Sequence, residues 1–91
     1  MIPVLVTTEF RGVFFGYTSK SERELFEEEN IVLHKCKNVI YFGTSKGFLE
    51  LADTGPTCDS KIGSEAKKVI LKKITSVAYC TEAAEKAFAD A

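Results

Sequence analysis

The residues best suited to binding chemistry lie in the segment LADTGPTCDSKIGSEAKK, which runs from Leu51 to Lys68. It separates two strand-like patterns, and a loop of this length in a small domain often carries function. Its hydroxyl groups, backbone amides and lysine could hold a phosphate or a ribose. The candidate ligand-binding residues here are Thr54, Gly55, Thr57 and Lys61. An ordinary polar connection explains the same composition at least as well.

A second candidate is the aromatic segment EFRGVFFGYT, which covers Glu9–Thr18. Its alternation places Phe15 in a core, while Arg11 and Tyr17 lie at the strand ends, where they could meet a ligand. The Arg11 guanidinium could pair with a phosphate, and Tyr17 or Tyr41 could stack on a base. Together with the loop residues, these side chains form the predicted ligand site.

The residues that usually perform catalysis do not form a recognisable set. His34 is the only histidine, and no acidic residue lies at a spacing that would orient it. Cys36, Cys58 and Cys80 form no C-x-x-C pair, so the sequence encodes neither a zinc site nor a disulfide framework. We therefore predict a protein that is not an enzyme and has no cofactor or metal.

Length, charge and composition limit the class of protein. The 91 residues fit one small domain, 1–91, and the net charge of −1 gives no general attraction to nucleic acid or an anionic membrane. The apolar runs are far shorter than the roughly 20 residues that cross a bilayer, and no signal peptide is recognisable, so we expect a cytoplasmic protein. The apolar content of 45% is high for so small a core, which favours a homo-oligomer.

The elements that must position these residues are mostly strands. SKSERELFEEEN has capping-box spacing at Ser21 and Glu24 and predicts a short helix, and a second short helix follows the N-cap Thr81. The last strand pattern breaks at Lys72–Ile74, where a turn or bulge is expected. The predicted strand regions are Val4–Thr7, Gly12–Thr18, Ile31–Phe42, Gly47–Ala52 and Val69–Cys80, the third and the last of which could each form two strands. We therefore predict a mainly β fold, a small antiparallel barrel of five or six strands.

Three resemblances bear on this prediction. FRGVFFGYT, NIVLHKCKNVI and VILKKITSV resemble the glycine and apolar pattern of Sm-like barrels, but without the aspartate and asparagine that carry RNA binding in that family. The ordered set PVLVTTEFRGVFFGY, KNVIYF, GFLELADTGPT, KIG and ITSVAYCTEA resembles a family of small accessory proteins encoded by tailed bacteriophages and prophages. The triplet at Asp53–Gly55 resembles that of retroviral-type aspartic proteases, but Pro56 and the lack of a later apolar-glycine pair oppose that reading.

The phage resemblance implies an accessory protein that acts in the cytoplasm of the host cell, and we predict a role in counter-defence. One hypothesis is that the protein binds and sequesters a small anionic nucleotide signal in pockets between protomers. The other is that it inhibits a host defence complex directly, using the acidic excursion Glu22–Glu29 against a basic groove. A weaker alternative is an Sm-like RNA-binding ring.

Overall fold

The computed structural model describes residues 1–9, 12–41, 49–57 and 60–91, with the backbone alone at Tyr41. The fold is mainly β and resembles a small barrel, as predicted, with five antiparallel strands in one open sheet of order β4-β3-β2-β1-β5. Three short helices accompany the sheet. The strands are β1 (Ile2–Thr8), β2 (Val13–Thr18), β3 (Ile31–Tyr41), β4 (Lys61–Leu71) and β5 (Ile74–Tyr79), and the helices are α1 (Glu22–Glu27), α2 (Leu49–Asp53) and α3 (Glu82–Asp90).

The sheet is built outward from β1, which pairs with β2 on one side and with β5 on the other. The two edge strands, β4 and β5, are consecutive in the chain, and the residues between them include Lys73 with a φ of 55°. This left-handed backbone conformation lets the chain leave one edge and begin the other. The predicted break at Lys72–Ile74 is therefore confirmed.

Each face of the sheet carries its own apolar core. The α1-side core is contacted by Leu25 of α1, and the helix-side core includes residues of α2 and α3. Because successive side chains of a strand point to opposite faces, β1 supplies both cores. The α1-side core contains Val4, Val6, Ile31, Leu33, Cys36 and Leu71, and the helix-side core contains Leu5, Val13, Phe15, Val39, Leu51, Ala52 and Phe88.

The predicted alternation along β2 is confirmed. Val13, Phe15 and Tyr17 pack in the helix-side core, whereas Phe14 packs against the α1-side core. Gly16 allows β2 and β3 to approach closely, since a Cβ atom at this position would lie 2.8 Å from the Cβ of Leu33. A side chain at this position would require the neighbouring strand to move.

Two predictions about the second half of the chain are wrong. Of the predicted strand Gly47–Ala52, the described part belongs to α2. The helix sequence LELAD contains no β-branched residue, and its Leu51 and Ala52 are buried together. The polar loop Leu51–Lys68 is also shorter than predicted, because β4 already begins at Lys61. The middle of β4, residues 64–68, is exposed on both faces, so it has no apolar alternation that could reveal it.

Both predicted helix starts are confirmed. The Ser21 hydroxyl accepts a hydrogen bond from the Glu24 amide, and the Glu24 side chain accepts one from the Ser21 amide, which completes a capping box. The Thr81 hydroxyl accepts from the Ala84 amide and donates to the carbonyl of Asp53. The same threonine therefore begins α3 and ties it to the end of α2.

Candidate functional site

Tyr17, a predicted ligand contact, is turned toward α3. Its hydroxyl donates to Oε2 of Glu85 over 2.8 Å, and its ring meets Phe15 edge-on with centroids 5.5 Å apart. Burial, and then the hydrogen bond to the Glu85 carboxylate, raise the pKa of Tyr17 to about 12. The hydroxyl thus helps to hold α3 against the sheet.

Thr54 and Gly55 follow α2 directly and close its C-terminal end. The Thr54 amide and hydroxyl both reach the carbonyl of Glu50, and the Gly55 amide donates to the carbonyl of Leu51 over 3.1 Å. Gly55 has a φ of 84°, and a Cβ atom there would lie 2.5 Å from the Cβ of Ala87. A glycine is required here both for the left-handed backbone and for the contact with α3.

A cavity of about 350 Å³ lies beside this loop. Thr57 is in its wall, where the Thr57 amide donates to the Ser60 hydroxyl over 3.3 Å, and Asp90 of α3 adds a carboxylate. Lys61 is exposed at the start of β4 and does not line this cavity. The full lining is Pro56, Thr57, Ser60, Ile62, Ala87, Asp90 and Ala91.

The predicted ligand residues are therefore not brought together in the described part of the chain. Thr57 reaches the cavity, Tyr17 faces α3, and Lys61 lies at a sheet edge. Arg11 and the side chain of Tyr41 lie outside the described residues, so their predicted roles stay predictions.

A larger groove, of about 580 Å³, lies between α1 and β5. Two aromatic side chains in its wall are unusually open to solvent, Phe26 with 90% of its surface exposed and Tyr79 with 48%. We call it the α1–β5 groove. Its lining is Glu22, Leu25, Phe26, Glu28, Glu29, Ile74, Thr75, Ser76, Val77 and Tyr79.

Three carboxylates give the α1–β5 groove a negative charge. Glu28 is bound by Lys20, whose Nζ donates to Oε1 of Glu28 over 2.9 Å and to the carbonyl of Asn30 over 2.7 Å. Glu22 and Glu29 are exposed, and among the described residues neither carboxylate has an ion-pair or hydrogen-bond partner. The groove thus keeps two uncompensated negative charges beside exposed aromatic rings.

Several contacts fix the α1 wall relative to the sheet. The capping box begins the helix at Ser21, and Leu25 packs on the α1-side core. At the far end, the Ile74 amide donates to the carbonyl of Glu29 over 2.9 Å. Of the two apolar side chains of α1, Leu25 packs on the core and Phe26 is exposed. The exposure of Phe26 follows from the helix orientation, which the sequence pattern did not reveal.

Groups suited to metal binding or nucleophilic chemistry are not gathered in the described residues. They contain no group of three or more histidine, cysteine, aspartate or glutamate side chains that could hold a metal ion. Burial raises the pKa of the Cys36 thiol to about 11, and burial together with the Glu85 carboxylate raises the pKa of the Cys80 thiol to about 12. Both thiols are therefore protonated and unreactive near neutral pH. Cys58 lies outside the described residues.

The fold and the groove define a class of protein: a small, mainly β domain with a helix on each side of its sheet and an open groove along one sheet edge. Residues 1–88 match the model of a family described as a domain of unknown function, DUF6948, so the chain belongs to the DUF6948 family. No curated protein and no solved structure matches the chain. No helix in the described residues is long and apolar enough to cross a membrane.

Proposed function

We propose that this protein is a non-enzymatic binding domain that recognises a positively charged surface of another protein through the α1–β5 groove. The carrying observation is the combination of exposed Phe26 and Tyr79 with unpaired Glu22 and Glu29 around one groove. Aromatic side chains supply much of the binding energy in protein interfaces, and charged groups at the rim select the partner and speed encounter.

The free protein leaves the ring of Phe26 in contact with water. Phe26 is almost fully exposed, although burying such a side chain contributes roughly 1.5–3 kcal/mol. Its position is already set by the capped helix and by the Lys20 contacts, so little ordering of the groove is needed on binding. A partner that covers Phe26 and Tyr79 therefore gains apolar contact at a small entropic cost.

The sign of the charge favours a basic partner over a nucleotide at this groove. Glu22 and Glu29 would repel a phosphate, and Asp90 lines the cavity that contains Thr57. Nucleotide sequestration stays a prediction for a site that includes Arg11 and Tyr41. For the α1–β5 groove we propose the second hypothesis, in which a host defence protein is bound and inhibited in the host cytoplasm, in keeping with the resemblance to phage accessory proteins.

The proposal is tested by comparing the proteins retained from a bacterial host lysate by three immobilised forms of the protein. The groove variant carries Glu22→Gln and Glu29→Gln, and the matched control carries Glu65→Gln and Asp90→Asn, which remove the same charge elsewhere. We expect at least one protein that the wild type and the control retain and that the groove variant loses by about tenfold, equivalent to 1.4 kcal/mol. Circular dichroism verifies that all three forms are folded.

Two results would contradict the proposal. The first is a retained set that is the same for the groove variant and the wild type. The second is a nucleotide that co-purifies in near-equal molar amount and is released on denaturation, as measured by mass spectrometry, since this would favour sequestration. A self-associated protein seen by light scattering is compatible with either hypothesis, and the homo-oligomer stays a separate proposal.

A further inference from the structure

The open edge of β5 has backbone groups that point into the α1–β5 groove. The Cys80 amide donates to the carbonyl of Pro3 over 3.0 Å, and this bond shows which residues of β5 form hydrogen bonds with β1. Because hydrogen-bonding direction alternates along an antiparallel strand, Ala78 is directed toward β1, whereas Val77 and Tyr79 are directed away from it. In the described part of the chain, the amides and carbonyls of Val77 and Tyr79 have no hydrogen-bond partner.

The β5 edge lacks most of the features that usually protect the edge of a sheet. Native edges carry prolines or lysines, or are covered by another element. The pairing residues of β5 are Val77 and Tyr79, and α1 stands beside the edge without covering it. Only the beginning of the edge is occupied, where the Ile74 amide meets the carbonyl of Glu29. The rest is open to an added strand.

We propose that the α1–β5 groove binds an extended, lysine- or arginine-bearing segment of another protein, which pairs with Val77 and Tyr79 as a sixth strand. The inference rests on the proposed function and specifies how the partner binds. Two β5 residues can exchange four backbone hydrogen bonds with an added strand, and alternate side chains of that strand would face α1. Lysine or arginine at those positions would meet Glu22 and Glu29, and the rest of the bound segment would cover Phe26.

A second copy of this chain could offer its own free edge, β4, but the charges of β4 fit the groove poorly. On β4, Glu65 and Lys67 share one face, and Ala66, Lys68 and Ile70 share the other. Because Lys61 lies on the same face as Glu65 and Lys67, each face of β4 offers a net charge of only +1 to two unpaired carboxylates. A foreign segment with basic residues at alternate positions fits the groove better.

The test uses defined peptides because the natural segment is unidentified. The probe is a capped, fluorescein-labelled ten-residue peptide of alternating lysine and threonine, with an alternating glutamate and threonine peptide as the charge control. Two further probes carry N-methyl groups, one on every lysine and the other on every threonine. All N–H groups of one residue type point to the same side of an extended strand, so only one of the two isomers can keep its bonds to β5.

We expect the basic peptide to bind and the acidic peptide not to bind, as measured by fluorescence anisotropy. One N-methylated isomer should bind about tenfold or more weakly than the other, because it loses at least two backbone hydrogen bonds to β5. Hydrogen exchange of the Val77 and Tyr79 amides should slow when the basic peptide binds. The Ala78 amide, already directed toward β1, is the internal control and should not change.

Each contrary result has a distinct meaning. If both N-methylated isomers bind as tightly as the parent, or if Val77 and Tyr79 exchange at the same rate with and without peptide, strand addition is wrong although the charged groove stands. If the basic peptide does not bind, the inference is also wrong, and the lysate comparison still decides the proposed function. If Val77 and Tyr79 become protected in the free protein as its concentration rises, a second copy occupies the edge and the inference is overturned.

Discussion

The stack of Phe15 on Phe88 joins the sheet to α3, and its contribution to stability can be measured. The ring centroids lie 4.3 Å apart with an interplanar angle of 10°, and both side chains are buried. We propose a double-mutant cycle with Phe15→Leu and Phe88→Leu. Leucine keeps much of the apolar volume but removes the ring, so each single change isolates the aromatic contact better than truncation to alanine.

The expected magnitudes follow from burial and geometry. Each single change should lower the free energy of unfolding by about 1–2 kcal/mol, less than the roughly 3–5 kcal/mol expected for Phe15→Ala. Aromatic pairs contribute about 0.5–1.5 kcal/mol beyond their buried area, so the double variant should lose less than the sum of the single losses by that amount. A domain of this size has about 5–14 kcal/mol in total, and all the leucine variants should fold.

The assay is equilibrium unfolding in urea, followed by circular dichroism with linear extrapolation. The matched control is a second cycle that pairs Phe15→Leu with Ile31→Val, since Ile31 is buried in the α1-side core on the other face of the sheet. That pair should be additive within about 0.5 kcal/mol. Additive losses for Phe15 and Phe88 would refute the reasoning, because they would mean that the two rings do not form a mutual contact in solution.

Three further predictions concern single positions. Lys37 is buried and its Nζ donates over 2.7 Å to a carbonyl at the end of α3, so Lys37→Met should lower the free energy of unfolding by about 1–3 kcal/mol, and unchanged stability in urea would contradict that role. Gly16→Ala should lower the melting temperature because its Cβ would collide with β3, whereas Gly63→Ala, whose Cβ would meet only ordinary contacts, should leave it unchanged or slightly higher. At pH 8 the thiols of Cys36 and Cys80 should react with iodoacetamide about a hundredfold more slowly than a free cysteine, because their raised pKa values leave little thiolate. Peptide mass spectrometry measures the labelling, and rapid labelling of the native protein would contradict the burial.

Local chemistry was enough to predict the parts of the fold that depend on neighbouring residues. The capping box at Ser21 and the N-cap at Thr81 specify helix starts by side-chain hydrogen bonds within three residues. The alternation from Val13 to Tyr17 specifies which side chains share a face. These signals are contained in a few consecutive residues, so no knowledge of the rest of the chain is required.

The features that were missed depend on the position of each element in the sheet. The middle of β4, residues 64–68, is mostly polar because both of its faces are exposed at a sheet edge, so its sequence resembles that of a loop. The α1–β5 groove exists because β5 pairs with β1 and thereby comes to lie beside α1, a long-range arrangement that no local pattern reports. The acidic excursion was recognised as a candidate surface from its charge, but its aromatic partner Tyr79 could be placed only by the structure.

The central position of β1 has a consequence for how the protein folds in the cell. Val4 pairs with Tyr79, so nearly the whole chain lies between two strands that are neighbours in the sheet. β1 leaves the ribosome before β5. Until β5 has emerged, the apolar side chains of β1 and one row of its backbone groups have no partner. Such non-local pairing slows folding, because a long loop must close before the contact forms. The sheet is therefore completed only once β5 has emerged, and a nascent chain that ends before β5 exposes the strand that the finished protein buries most deeply.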